Sequence, residues 1–180
     1  MENKACCDVV CSLHLPRYGQ LPDAGLFLEQ ASAYIDQCLG ALPGLRLTGS
    51  MISNYVKKGL LPSPVRKQYN REQIAQLIFI TVAKTVLTME EIQLVFQVQR
   101  RTYPMQRAYD YFCQELEQSL QYVFNRRPLP SSSSAEQTAE VLMLRSIILT
   151  AAHRLYLTAR FAQYTTVEKT IPTSHEKEIL

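Results

Sequence analysis

The residues best suited to chemistry in this sequence are polar and basic, and they crowd one segment, Ser50 to Tyr69. Threaded on a helix at about 100° per residue, Ser50, Ser53, Asn54 and Lys57 share one arc about 100° wide. Met51, Ile52, Tyr55 and Val56 fall on the opposite side. The outward types suit the major groove of a duplex. Asn pairs bidentately with adenine, Ser reaches several base edges, and Lys reaches guanine or phosphate.

The charge pattern points the same way. The window Gln37 to Arg71 holds no Asp or Glu and six cations: Arg46, Lys57, Lys58, Arg66, Lys67 and Arg71. The whole chain is only +3, so the rest of it carries a net −3. A chain polarised in this way suits a polyanion as partner. Arg66, Lys67 and Arg71 then become phosphate contacts, with the prolines of the loop Leu60–Gln68 cutting the entropy lost on ordering them. Thr48 and Lys58, at the two ends of the short helix, complete its candidate DNA-binding set. An ordinary surface helix beside a solvated basic loop is the plainer alternative.

Other chemistry is thin. Five cysteines are an odd number without framework spacing, which favours reduced thiols. A zinc site would draw on Cys6 or Cys7, Cys11 and His14. That spacing fits no finger or ribbon and lacks a second ligand pair, so no metal is expected. No Gly-rich phosphate loop, H-E-x-x-H or G-x-S-x-G phrase occurs, so neither an enzyme nor a cofactor is expected.

The elements that must position these residues are helical. Gly is scarce, Gln and Leu are frequent, and alternating β-branched runs are few. A first helix is expected from Leu26 to Leu39, ended by Gly40 and Pro43-Gly44. A short one follows from about Thr48 to Lys58, with Gly59 as its C′ residue. Leu60–Gln68 is a stiff loop or small ribbon. Asn70 with Gln73, and Thr88 with Glu91, are capping-box pairs opening two further helices. Pro104 to Asn125 is a cleanly amphipathic helix. After the linker Pro128–Ser134, Ser134 with Gln137 caps a last helix to about Gln163 that is apolar nearly all round. No apolar run approaches the roughly 20 residues that span a bilayer, and the N-terminus lacks an apolar signal region. The expectation is a cytoplasmic protein without a membrane partner.

The segment SNYVKKGLLP…RKQYNREQIAQLIFITVAKTVLTMEEIQLVF resembles the DNA-binding domain of the MerR family. Tyr55, Gly59, Leu60, Leu61 and Pro62 match the end of that family's recognition helix. Arg66, Lys67 and Tyr69 match its wing, and Thr88–Ile92 a later helix start. The span Leu15 to Phe96 is more closely similar to an uncharacterised bacterial family, domain of unknown function 1836. The matching phrases are Leu15-Pro16, Leu21-Pro22-Asp23, Leu47-Thr48, Met51-Ile52 and Asn54-Tyr55-Val56-Lys57. The resemblance implies a MerR-like winged helix-turn-helix fold that binds double-stranded DNA, with Tyr69 joining the DNA-binding residues. It departs from the MerR pattern at Gly40–Leu47, which separates the two helices of the motif, and it lacks the long coiled-coil helix.

The organisation expected is therefore all-α: a flexible tail over 1–20, a MerR-like helix-turn-helix domain over 21–101, a helical hairpin over 102–164 for dimerisation or ligand binding, and a flexible tail over 165–180. The hairpin has three possible uses: packing on the first domain, pairing with a second copy, or enclosing a small-molecule effector. Its aromatic residues, Tyr109 and Phe112 among them, are read first as core and second as a ligand box. The leading expectation is a transcriptional regulator acting as a homodimer. The alternative is a helical protein-interaction module that keeps the fold without DNA.

Overall fold

The computed structural model describes residues 2–128 and 138–168, with side chains over 7–128 and 138–165. In chain order the elements are α1 (Glu2–Cys11), a 3₁₀ turn (Tyr18–Gln20), β1 (Leu26–Phe27), α2 (Leu28–Leu39), α3 (Gly49–Lys57), β2 (Gln68–Tyr69), α4 (Arg71–Ala83), α5 (Met89–Thr102), α6 (Met105–Asn125) and α7 (Ala139–Glu168). The fold is all-α apart from one two-stranded antiparallel ribbon, with Leu26 opposite Tyr69 and Phe27 opposite Gln68. The first expected helix thus starts two residues late, because Leu26 and Phe27 extend to pair with β2.

Helix α4 is the centre. Every residue from Gln73 to Ala83 is buried, because α2, α6 and α7 all pack around it. A helix that is apolar on all sides needs that enclosure. Its start is held by the capping box expected from sequence. Gln73 N donates to Asn70 Oδ1 at 2.9 Å, and Asn70 N donates to Gln73 Oε1 at 3.0 Å. Thr88 and Glu91 close the same device at the head of α5. Phe79 of α4 meets Phe96 of α5 and Phe112 of α6, with ring centroids 5.6 and 5.3 Å apart.

The N-terminal segment is not a loose tail over its described residues. Val10, Leu13 and Leu15 are buried, and α1 packs along α6. A polar clip holds the strand-like stretch after α1. Arg17 donates from both guanidinium ends to the Glu117 carboxylate at 2.8 Å, and Leu15 N donates to it at 2.9 Å. Tyr18 N donates to Asp110 Oδ1 at 2.7 Å. Bidentate bonding to Glu117 holds the Arg17 pKa well above its ordinary value. The spacing of Val10, Leu13 and Leu15 carried this burial; their partners on α6 lie about a hundred residues away.

Helix α7 behaves differently from expectation. It buries one stripe, Ile148, Ala151, Ala152, Leu155 and Ala159, mostly against α6, while Leu142, Met143, Leu157, Phe161 and Tyr164 stay exposed. Buried Glu115 of α6 pairs with Arg145 at 3.2 Å across that contact. By length and composition alone, Ala139–Thr165 is apolar enough to cross a bilayer, with 22% of its most apolar window buried. No such run was expected, because charges interrupt the stretch, yet they are sparse enough for its mean hydropathy to pass. Most of the linker Pro128–Ser134, the Ser134–Gln137 cap and the 165–180 tail beyond residue 168 lie outside the described residues.

Candidate nucleic-acid interface

Helix α3 is set by the turn that precedes it. Leu42 and Leu47 of that turn are buried. Two side chains of α2 grip Leu47: Ser32 Oγ donates to its carbonyl at 2.6 Å, and its N–H donates to Asp36 Oδ1 at 2.9 Å. Gly44 has φ +75, and a Cβ there would lie 3.0 Å from Thr158 Cγ2 of α7. The long turn is thus a packed connection between α2, α3 and α7, and not a slack one. Thr48 then caps α3, accepting from Met51 N at 3.3 Å.

The two faces of α3 fall where the helical spacing puts them. Ile52 and Tyr55 are buried, Met51 and Val56 are half-buried, and Ser50, Ser53, Asn54 and Lys57 are exposed. Two of the outward hydroxyls have local partners: Ser53 Oγ donates to Gly49 O at 2.9 Å, and Ser50 Oγ lies 2.9 Å from Thr48 Oγ1. Asn54 and Lys57 carry the longer reach. Gly59, at φ +71, ends the helix. Leu60 N donates to Tyr55 O at 2.9 Å and Gly59 N to Val56 O at 3.0 Å, the paired bonds of a Schellman motif.

The basic loop becomes a turn with an unusual backbone. Gln68 N donates to Val65 O at 2.9 Å, so Arg66 and Lys67 form the tip of a two-residue hairpin turn. Their φ values are +51° and +64°. Such turns favour Asn-Gly, because an L side chain at positive φ crowds its own backbone at about 1–2 kcal/mol per residue. Two consecutive cations in that conformation are strained, and both are exposed. Pro62 O, accepting from buried Gln73 at 2.8 Å, ties the base of the loop to α4.

Two sequence candidates do not join this surface. Tyr69 is 5% exposed, its ring in the core, and burial raises its phenol pKa. Arg71 is half-buried and engaged within the chain: Nε donates to Leu21 O at 3.2 Å, Nη2 lies 3.2 Å from Asp23, and the guanidinium stacks over Tyr18. Both sit in β2 or at the first turn of α4, where pairing and packing turn their side chains inward. Thr48, Lys58 and Arg46 are exposed. One cation was missed. Lys84, at the end of α4, places its ammonium 5.5 Å from the Tyr55 ring on α3. Nothing in the sequence links the two positions; only the fold, which packs both helices on α2, brings them together.

Burial raises Cys11 and Cys38 above the ordinary thiol value and pushes Cys113 up to about 12. A buried protonated thiol is a poor nucleophile and a poor metal ligand. His14 faces Glu117 at 3.8 Å, and among the described residues no three His, Cys, Asp or Glu side chains gather as a metal site.

Residues 16–112 match the family described as Domain of unknown function (DUF1836). The match spans more than half of the chain, and the chain belongs to that family. It begins at the buried N-terminal segment and ends in α6, so it takes in α2, α3, the cationic turn and α4 together. Comparison with curated proteins and with solved structures gives no match.

Proposed function

We propose that this chain is a DNA-binding transcriptional regulator of MerR-like winged helix-turn-helix build. In this reading α3 is the recognition helix and enters the major groove. Asn54, Ser50 and Ser53 face base edges there, and Lys57 a base or a phosphate. The ribbon is the wing, and Arg66 and Lys67 meet the flanking backbone. Lys58, Arg46 and Lys84 add positive charge around them.

The observation that carries the reading is the hairpin tip. Arg66 and Lys67 hold positive φ at the exposed tip of the hairpin turn that Val65 and Gln68 close, a place where Asn-Gly would sit with less strain. Strain retained at the surface, on two cations beside an outward Ser-Ser-Asn-Lys arc, is what a phosphate contact would explain. The exposed apolar side of α7 supports a homodimer, in which a second copy covers Leu157, Phe161 and Tyr164. A two-fold dimer would read paired half-sites.

Binding of the full chain to a pool of random duplexes, followed by anisotropy across 50 to 200 mM salt, tests this. The expected result is affinity that falls steeply with salt, with Lys57→Ala and Arg66→Ala each flattening the slope by about 0.9. Asn54→Ala should instead relax the selected sequence. Absence of salt-sensitive binding to any duplex overturns the reading. The exposed side of α7 also favours a second reading, a helical interaction module whose basic surface docks an acidic protein. One stoichiometric protein co-purifying with the chain, free of nucleic acid, would point to that instead.

A further inference from the structure

A slot opens where α4, α5 and α6 meet under the start of α7. Its walls are Phe79, Phe96, Met105, Phe112 and Leu144, with Gln76 and Gln99 between them. Its cavity volume is about 50 Å³, and it is partly open to solvent, so a guest would sit partly in its mouth. The apolar walls alone would be unremarked core. The two glutamines are not. Gln76 is 3% exposed, and its amide oxygen is buried without a donor. The Gln99 amide oxygen is likewise buried and without a donor. Its orientation is fixed, because Gln99 Nε2 donates to Tyr103 O at 2.7 Å, so the oxygen must point away from that bond.

Two orphaned acceptors in an aromatic slot specify a guest. Buried polar groups are almost always paired, and each exception calls for a missing partner. Toward the two glutamine oxygens the partner must donate, since they only accept; Tyr109, which also lines the slot, has a buried hydroxyl that is likewise without a hydrogen-bond partner and can donate or accept. The partner should be uncharged, because no carboxylate lines the slot and an unpaired buried charge is heavily penalised. It should be flat and largely apolar to lie against Phe79, Phe96 and Phe112. We propose that this slot binds a small neutral heteroaromatic ring carrying N–H donors, with Gln76 and Gln99 as its acceptors. The site lies against α4, whose end touches α3 through Lys84 and Tyr55. The inference rests on the two glutamines and stands whether or not the chain binds DNA.

Matched probes test it on the full chain. Indole and 2-aminopyrimidine carry N–H donors; 1-methylindole and pyrimidine have the same rings without them. Saturable binding followed by ligand-observed NMR should be roughly tenfold tighter for each donor-bearing probe than for its match. Gln76→Met and Gln99→Met, close in volume, should each reduce that discrimination, and the two variants guard against one failing to fold. Equal affinity within each pair would overturn the proposal, as it would mean apolar filling alone. So would no binding at millimolar concentration, which would leave ordered water as the partner of both oxygens.

Discussion

Helices α4 and α7 have similar sequences in one respect: both are apolar around most of their circumference. Their fates differ. Helix α4 is wrapped by α2, α6 and α7 until every residue from Gln73 to Ala83 is buried. Helix α7 is covered along Ile148, Ala151, Ala152, Leu155 and Ala159 and bare along Leu142, Met143, Leu157, Phe161 and Tyr164. All-round hydrophobicity therefore states a demand for partners without saying that they lie in the same chain. Small residues sharpen the contrast. The three alanines of the buried stripe let α7 lie close on α6, with Ile148 and Leu155 filling the contact between them.

The sharpest way to break this comparison is to hollow each helix in turn. Leu77→Ala in α4 removes a fully buried side chain and should cost about 2–5 kcal/mol in urea unfolding. A loss under about 1 kcal/mol would mean that α4 is not the centre of the core. Leu155→Ala, on the covered side of α7, should cost about 2–4 kcal/mol. Between these in kind is the N-terminal clip. Glu117→Ala deletes three hydrogen bonds and leaves Arg17 with the Leu15 carbonyl in place of its carboxylate, and should lower stability by about 1–2 kcal/mol. If thermal unfolding of that variant matches the parent, the N-terminal segment contributes nothing to the fold.

The cationic turn sets exposed features against stability in the opposite sense. Arg66→Asn combined with Lys67→Gly supplies residues that accept positive φ and should stabilise the chain by about 1 kcal/mol. The same pair should weaken any binding to duplex, so that stability and binding move apart. The smallest effect on folding is expected on the bare side of α7. Leu157→Ser with Phe161→Ser should change monomer stability by no more than about 0.5 kcal/mol, yet turn the proposed dimer into a monomer in sedimentation. Unchanged sedimentation would leave that face without a second copy.

Much of the layout of α3 was legible from residue order. The helical wheel separates Ile52 and Tyr55 from Ser53, Asn54 and Lys57 without help from the rest of the molecule, because one buried stripe dictates the opposite face. Caps at Thr48, Asn70 and Thr88, and the Gly59 stop, are likewise local hydrogen-bond patterns within a few residues. Tyr69 and Arg71 were misplaced for a nonlocal reason. Strand pairing to Leu26 turns one inward, and Leu21, Asp23 and Tyr18 hold the other. The N-terminal segment was expected as a loose tail because the partners that hold it, Glu117 and Asp110, lie about a hundred residues away.

Sequence by itself determined the helices, their caps, the acid-free basic window and the outward Ser-Ser-Asn-Lys face, since each depends on neighbours within a turn or two. Tertiary structure alone decided which apolar helix is enclosed, that Lys84 joins α3, and that Gln76 and Gln99 share one slot. It also decided that Arg66 and Lys67 stand at a strained tip, because β1 had to cross from before α2 to pair with β2. Those outcomes depend on contacts between residues far apart in the chain, where burial and pairing override what any single segment prefers.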